Sequence, residues 1–360
     1  MKTPARISHC WLALLSVSLL FCSSCADNTE PSIYSFPLAE QNHINESALI
    51  DAYEKIDDIP QIQSLLVSRN RVLVSEAYFH GYRQNELHDV MSVTKSFTST
   101  LIGIAIDKGF IQSVEQTLGD FVTPDIYPLD ARKSAISIRN LLRMSSGIPW
   151  KEIGAESEYV TWVNSPNQVN YILDKEMTYT PGTLFNYSDG NAHLVSVILT
   201  KAAGMSSLEF AKEYLFGPLE MEYYAWYVDK QGFYYGGTTM DLTPKGMLKF
   251  GQMFLDNGLY NDRQIVSSGW VEQATSNHIQ PDTSISYQNG YGYFWWLGTK
   301  NGHNFYYANG YGGQFIVVIP DLETVIVATN NWMNVSRTEC GSNWQQTIAV
   351  IVDEIIPAIN

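Results

Sequence analysis

Two periodicities divide the chain. Near its start, Leu65-Leu66-Val67 and Val72-Leu73-Val74 flank the polar Ser68-Arg69-Asn70-Arg71, which predicts a β-hairpin. Apolar residues thicken from Ser92 to Lys108, with Leu101, Ile102, Ile104, Ala105 and Ile106 nearly all round, so a buried helix is expected. Gly109 suits the left-handed residue beyond its end. From 113 to about 190, short helical stretches alternate with loops marked by Pro124, Pro128, Gly147, Pro149, Pro166, Pro181 and Gly182. Helical patterns continue over Asn191–Ala203, Ser207–Leu215 and Thr243–Asn257.

The last third turns to strands. Tyr293–Leu297, Phe305–Ala308, Gln314–Ile319 and Thr324–Thr329 read as a meander, and a final helix carries Ile348, Ile351, Val352, Ile355 and Ile356 on its apolar side. Strands at both ends and helices between predict an α+β fold, an antiparallel sheet built from both chain ends and flanked by helices, with an inserted helical region. The expected body runs from 46 to 360, its α/β part being 46–112 and 193–360 and its helical region 113–192.

The first 25 residues read as an export signal. Lys2 and Arg6 precede an apolar stretch, Trp11–Phe21, too short to span a bilayer. Ser23-Ser24-Cys25 is similar to a bacterial lipobox, although Cys22 stands where Leu is usual. Cys25 would then carry the lipid, and 26–45, with Pro31 and Pro37, would be a tether. The expected location is periplasmic or on the outer surface, with membrane attachment through Cys25 alone. Cys340 would be the single body cysteine, so no internal disulfide is expected there.

With 22 Lys+Arg against 37 Asp+Glu, the net charge is −15, and no basic run offers a footprint for nucleic acid. A hydrophobic fraction of 45% excludes a disordered chain. Gly-x-Ser-x-Gly, Walker and His-Glu-x-x-His motifs are absent, and no metal or other cofactor is expected.

Three constellations carry chemistry. Ser92-Val93-Thr94-Lys95 puts a hydroxyl and an amine on one helical face. Burial favours a neutral lysine, able to take the serine proton, and the helix N-terminus favours negative charge there. Roughly one chance Ser-x-x-Lys is expected in a chain this long, but the apolar helix behind this one leaves Lys95 no open face. Tyr187-Ser188-Asp189 follows the Pro181-Gly182 turn, and a nearby Lys95 would depress the tyrosine pKa. Gly310-Tyr311-Gly312-Gly313-Gln314 leads into a strand, where the Gln314 amide could join that of Ser92 as an oxyanion donor. Each has a plain alternative: an N-cap serine, a core tyrosine, a glycine turn. Trp150, after Gly147-Ile148-Pro149, is a candidate cleft residue or a structural one.

Taken together, these motifs resemble the serine β-lactamase and penicillin-binding protein superfamily, most closely the class C β-lactamase-related esterases and the 6-aminohexanoate-dimer (linear-amide) hydrolase type. The resemblance spans roughly residues 50 to 356 and includes Ile138–Pro149 and Phe216-Gly217-Pro218-Leu219. Ser92 and Lys95 match its first motif, and Tyr187-Ser188-Asp189 its second, with Asp where Asn is usual. A shifted register would make Ser188 the proton carrier; the register that keeps Tyr187 is preferred. Tyr311-Gly312-Gly313 matches the third motif without its cation.

What the resemblance implies is an exported serine hydrolase of a small ester, amide or peptide. Ser92, Lys95 and Tyr187 would be catalytic, and Asp189, Tyr311, Gly312, Gly313 and Trp150 would bind substrate. The alternatives are β-lactamase or D-amino-acid peptidase activity, or a non-catalytic sensor on the same fold.

Overall fold

The computed structural model describes residue 32 and residues 34–359 apart from 153 and 155. The expected leader and Cys25 lie outside the described residues. Packing begins earlier than the sequence suggested. Phe36, Ala39 and Ile44 are buried, and Ile44 bridges to Ile359. Residues 34–45 are therefore part of the body rather than a tether, because their apolar side chains cover the apolar face of the terminal helices.

In chain order the strands are β1 (Ile62–Arg69), β2 (Val72–Tyr78), β3 (His88–Asp89), β4 (Tyr224–Trp226), β5 (Met240–Leu242), β6 (Leu259–Tyr260), β7 (Arg263–Gln264), β8 (Gln288–Tyr291), β9 (Trp296–Lys300), β10 (His303–Gly310), β11 (Gln314–Ile319) and β12 (Thr324–Asn330). Seven of them form one antiparallel sheet in the order β2-β1-β12-β11-β10-β9-β8, which joins the two chain ends as expected. A small sheet, β3-β5-β4, and the β6–β7 pair were not foreseen, since two- and three-residue strands carry no readable alternation.

Both faces of the large sheet are covered, so β1, β11 and β12 are buried throughout. Their alternation separates two cores. Leu66, Ile316, Val318, Val325 and Val327 face the middle helices, among them Thr94–Asp107, Asp189–Ala203 and Pro244–Leu255. Leu65, Val67, Phe315, Val317 and Ile326 face the terminal helices Glu46–Asp57 and Arg337–Ala349. Among the described residues, five short helices lie within 113–192, as the inserted region required. Its expected boundary cuts the helix Asp189–Ala203, which packs against Thr94–Asp107 as one unit.

The helix Thr94–Asp107 positions the site. It is buried on nearly every side, and Gly109 follows its end at φ +78°. Gly103 lets it approach the helix Ser268–Ala274: a Cβ there would lie 2.4 Å from the Trp270 ring.

Candidate active site

Ser92 lies in a 3₁₀ turn, Met91–Val93, that feeds directly into the helix Thr94–Asp107. The residue before it is strained: Met91 has φ +49°, a conformation that costs a side chain of its size roughly 1 kcal/mol or more. Two contacts hold it there. The Met91 amide donates to Asp89 Oδ1 at 2.9 Å, and its carbonyl accepts from Thr94 Oγ1 at 2.7 Å. Burial, opposed by that Met91 amide and aided by Asp241, raises the Asp89 pKa from 3.8 to about 6.

One turn on, Lys95 is 1% exposed. Its Nζ donates to Ser92 Oγ at 2.8 Å and to Gly237 O at 3.0 Å, and it forms an ion pair with Asp189. The juxtaposition of hydroxyl and amine matches the sequence expectation; the charge state does not. Burial pulls the lysine pKa down, but the charges of Asp189 and Glu152 outweigh it and leave the pKa above its usual value. Lys95 therefore rests as an ammonium, since a buried opposite charge in contact opposes desolvation.

Tyr187 lies on the same cluster, its ring centroid 4.7 Å from Lys95 Nζ. It stacks on Trp296, with ring centroids 5.4 Å apart, and meets Tyr291 edge-on. The expectation that Lys95 would depress its pKa fails. Burial, then repulsion from Glu152, pushes it well above 10, against a smaller opposing effect of the neighbouring Ser92 hydroxyl, with Asp189 adding to the rise. Tyr187 is a neutral phenol here. Ser188 is the N-cap of the next helix, accepting from the Asn191 amide at 3.1 Å.

Asp189 and Trp150 were expected to touch substrate, yet both are buried parts of the frame. Asp189 is 2% exposed and committed to Lys95. Trp150 is 4% exposed and donates from Nε1 to Glu152 Oε2 at 2.6 Å. Glu152 is the residue that sequence reasoning missed. Its Oε2 also accepts from the Asp189 amide at 3.0 Å. Burial, then repulsion from Asp189, raises its pKa well above the carboxylate range.

Gly237 completes the enclosure. A Cβ there would lie 2.6 Å from Asp189 Oδ1 and 3.2 Å from Lys95 Nζ. The third motif is arranged differently from its expectation. Gly310 and Gln314 pair across the β10–β11 hairpin, and it is Gly310 that lies against the Ser92 turn, with a Cβ position 2.4 Å from Val90 O. Gly312 and Gly313, at φ +81° and +109°, approach Trp332 and Asn330 instead. Gln314 is fully buried; its side chain donates to Asn330 O at 2.7 Å and accepts from the Asn330 amide at 3.1 Å. Tyr311 is 38% exposed; burial and then Cys340 raise its pKa, against a smaller lowering by the nearby Arg337, whose guanidinium donates to Gly154 O. A cation therefore does stand beside this motif, delivered from the distant helix Arg337–Ala349.

With this site set under a large antiparallel sheet flanked by helices, the architecture is that of the β-lactamase and transpeptidase fold. The Beta-lactamase family model matches residues 48–349, and the chain belongs to that family, whose members include hydrolases. The chain is 27% identical over 288 residues to a 6-aminohexanoate-dimer hydrolase of Paenarthrobacter ureafaciens, which covers 75% of this chain and 72% of that protein. Among solved structures it is similar to an octameric penicillin-binding protein homologue from Pyrococcus abyssi, at TM-score 0.66 and 20% identity over 86% of this chain and 77% of the other. It also resembles a D-amino acid amidase from Ochrobactrum anthropi SV3, at TM-score 0.61 and 14% identity over 84% and 99%.

Proposed function

We infer that this chain hydrolyses a small ester or unstrained amide through an acyl-enzyme on Ser92. The observation that carries the reading is the 2.8 Å contact between Lys95 Nζ and Ser92 Oγ, with Lys95 fixed from behind by Asp189 and Gly237 O. The amide-hydrolysing relative supports amides as part of the range.

The resting protonation states set the order of proton movement. As Lys95 takes the proton of Ser92 it passes one of its own to Asp189, so the ammonium is regenerated and Asp189 becomes a carboxylic acid. Ser92 Oγ attacks the carbonyl carbon, whose oxygen takes the negative charge. The Ser92 amide and an amide of the β10–β11 turn would hold that oxygen; the place of Gly310 favours the Tyr311 amide over that of Gln314. Tyr187 passes its hydroxyl proton to the leaving group and recovers one from Lys95, which recovers its own from Asp189. Water then repeats the sequence on the acyl-enzyme.

Recognition of a penicillin-like carboxylate would fall to Arg337, already near Tyr311 and donating to Gly154 O, which favours uncharged substrates over β-lactams. A panel of ester, amide, D-amino-acid peptide and β-lactam substrates tests the reading on wild type and Ser92→Ala. Turnover of esters or amides that the variant abolishes is expected; unchanged turnover in Ser92→Ala ends it. Export with a lipid on Cys25 belongs to the same reading, and the mass of the mature N-terminus tests it.

A further inference from the structure

Two fully buried amide side chains, Gln314 and Asn330, hold the β10–β11 hairpin from behind. Gln314 Nε2 donates to Asn330 O at 2.7 Å and its Oε1 accepts from the Asn330 amide at 3.1 Å. The same Nε2 reaches Tyr311 O at 3.3 Å. In return, Asn330 Nδ2 donates to Gly313 O at 2.8 Å and to Thr347 Oγ1, on the helix Arg337–Ala349, at 3.2 Å. Gly313 permits this approach, since a Cβ there would lie 2.6 Å from Asn330 Nδ2.

One peptide plane depends on these bonds. Gly313, whose carbonyl Asn330 holds, donates from its own amide to Gly310 O at 3.2 Å. The peptide group that carries Gly310 O also carries the Tyr311 N–H, and in a trans peptide the two point in opposite directions. With the carbonyl turned into the hairpin, the N–H is turned out of it. Gly310 itself lies against the Val90 carbonyl, just before the Ser92 turn. Among the described residues, neither the Tyr311 nor the Ser92 amide has a backbone acceptor. An N–H left open in this way is able to receive a developing negative oxygen.

We propose that Asn330 is a positioning residue, which sets the Gly310–Tyr311 peptide so that the Tyr311 N–H meets the oxyanion formed during acylation of Ser92. The kinetic consequence rests on the acyl-enzyme reading. Asn330 acts through two bonds in series, from its Nδ2 to Gly313 O and from the Gly313 amide to Gly310 O. Gln314 fixes the Asn330 backbone from the neighbouring strand, so the two side chains work as one clamp. Without the Asn330 donor, Gly313 is free to rotate, Gly310 O loses its fixed partner, and the Tyr311 N–H leaves its line. A misplaced donor slows the step in which charge gathers on oxygen and leaves ground-state binding almost untouched.

Asn330→Leu nearly keeps the side-chain volume and removes the donor. For wild type and variant, kcat and KM are measured on an ester, together with the affinity for phenylboronic acid, whose tetrahedral adduct on Ser92 puts a hydroxyl where the oxyanion forms. A kcat about a hundredfold lower is expected, with KM within about threefold and boronic-acid affinity falling along with kcat/KM. Exchange of the Gly313 amide hydrogen should quicken by about tenfold or more. Gln314→Met, which keeps Asn330 but releases its backbone, is the second route and should show the same split between kcat and KM.

A kcat within about threefold of wild type in either folded variant overturns the proposal. So does a loss of kcat that leaves boronic-acid affinity unchanged, because the oxyanion donor would then be in place. Wild type that neither turns over an ester nor is labelled on Ser92 would instead end the acyl-enzyme reading and the kinetic role with it. Gly313 exchange would still decide whether Asn330 holds the turn: unchanged exchange in Asn330→Leu refutes the clamp.

Discussion

Removing the carboxylate that faces Lys95 tests the electrostatic frame of the site. In Asp189→Asn the lysine keeps its hydrogen bonds to Ser92 and Gly237 O but loses its counter-charge. The side chains of Lys95 and Asp189 are 1% and 3% exposed, so water cannot take over. Stripping one partner from such a pair costs about 3–5 kcal/mol. The lysine's other course is to shed its proton. Remaining neutral at pH 7 against an unfolded pKa near 10.4 costs about 1.4 kcal/mol per pH unit, or about 5 kcal/mol at most. Relief of the repulsion that Asp189 exerts on Glu152 offsets part of this, and about 2–4 kcal/mol net is expected.

The sign of the pH dependence is fixed. In wild type the folded pKa of Lys95 is raised, so its contribution is fully present below the unfolded value and is lost only as pH climbs through the raised one. In the variant burial depresses that pKa, so the unfolded chain binds more protons and stability recovers as pH rises towards 10. Urea unfolding of both proteins at pH 7 and pH 9 measures the difference. A loss of several kcal/mol at pH 7 that shrinks at pH 9 is expected. A loss below about 1 kcal/mol that does not change with pH would refute the ion pair as the source of the raised lysine pKa.

Two further substitutions test the walls of the site. Gly237→Ala sets a methyl 2.6 Å from Asp189 Oδ1, and it should slow Ser92 labelling about a hundredfold while costing about 1–3 kcal/mol in stability. Labelling at the wild-type rate would contradict this. Asp89→Asn keeps a carbonyl oxygen for the Met91 amide but removes a carboxylate whose pKa is raised from 3.8 to about 6. A raised carboxylate pKa means that wild type loses stability as pH climbs through that window. The variant should therefore equal wild type near pH 4 and exceed it by up to about 3 kcal/mol at pH 7, read from melting temperatures. A variant less stable at pH 7 would show that the charge, rather than the oxygen, supports the strained turn.

The proposed catalytic trio was legible because its signal is local. Ser92 and Lys95 lie three residues apart on one helix, and the Pro181-Gly182 turn announced the loop that delivers Tyr187. The sheet was legible because strands buried on both faces are continuous apolar runs, as in Gln314–Ile319. The resting charge of Lys95 was not, because it is decided by Asp189, 94 residues away, whose carboxylate overrides burial. Glu152 sits on a loop without periodicity, and only folding brings it to an amide 37 residues further on. The third motif was placed on the wrong glycines for a related reason. A run of Gly, Tyr and Gly shows where a hairpin turns, but which residue lies against the Val90 carbonyl depends on how β10 is set beside the Ser92 turn.

The central claim is that Ser92 becomes covalently acylated. Incubating the folded chain with a fluorophosphonate, or with a slowly turned-over ester, and mapping the adduct by peptide mass spectrometry tests it directly. One adduct on Ser92, absent from Lys95→Ala and from unfolded protein, is expected. Modification of another residue, or equal labelling of the unfolded chain, would contradict it.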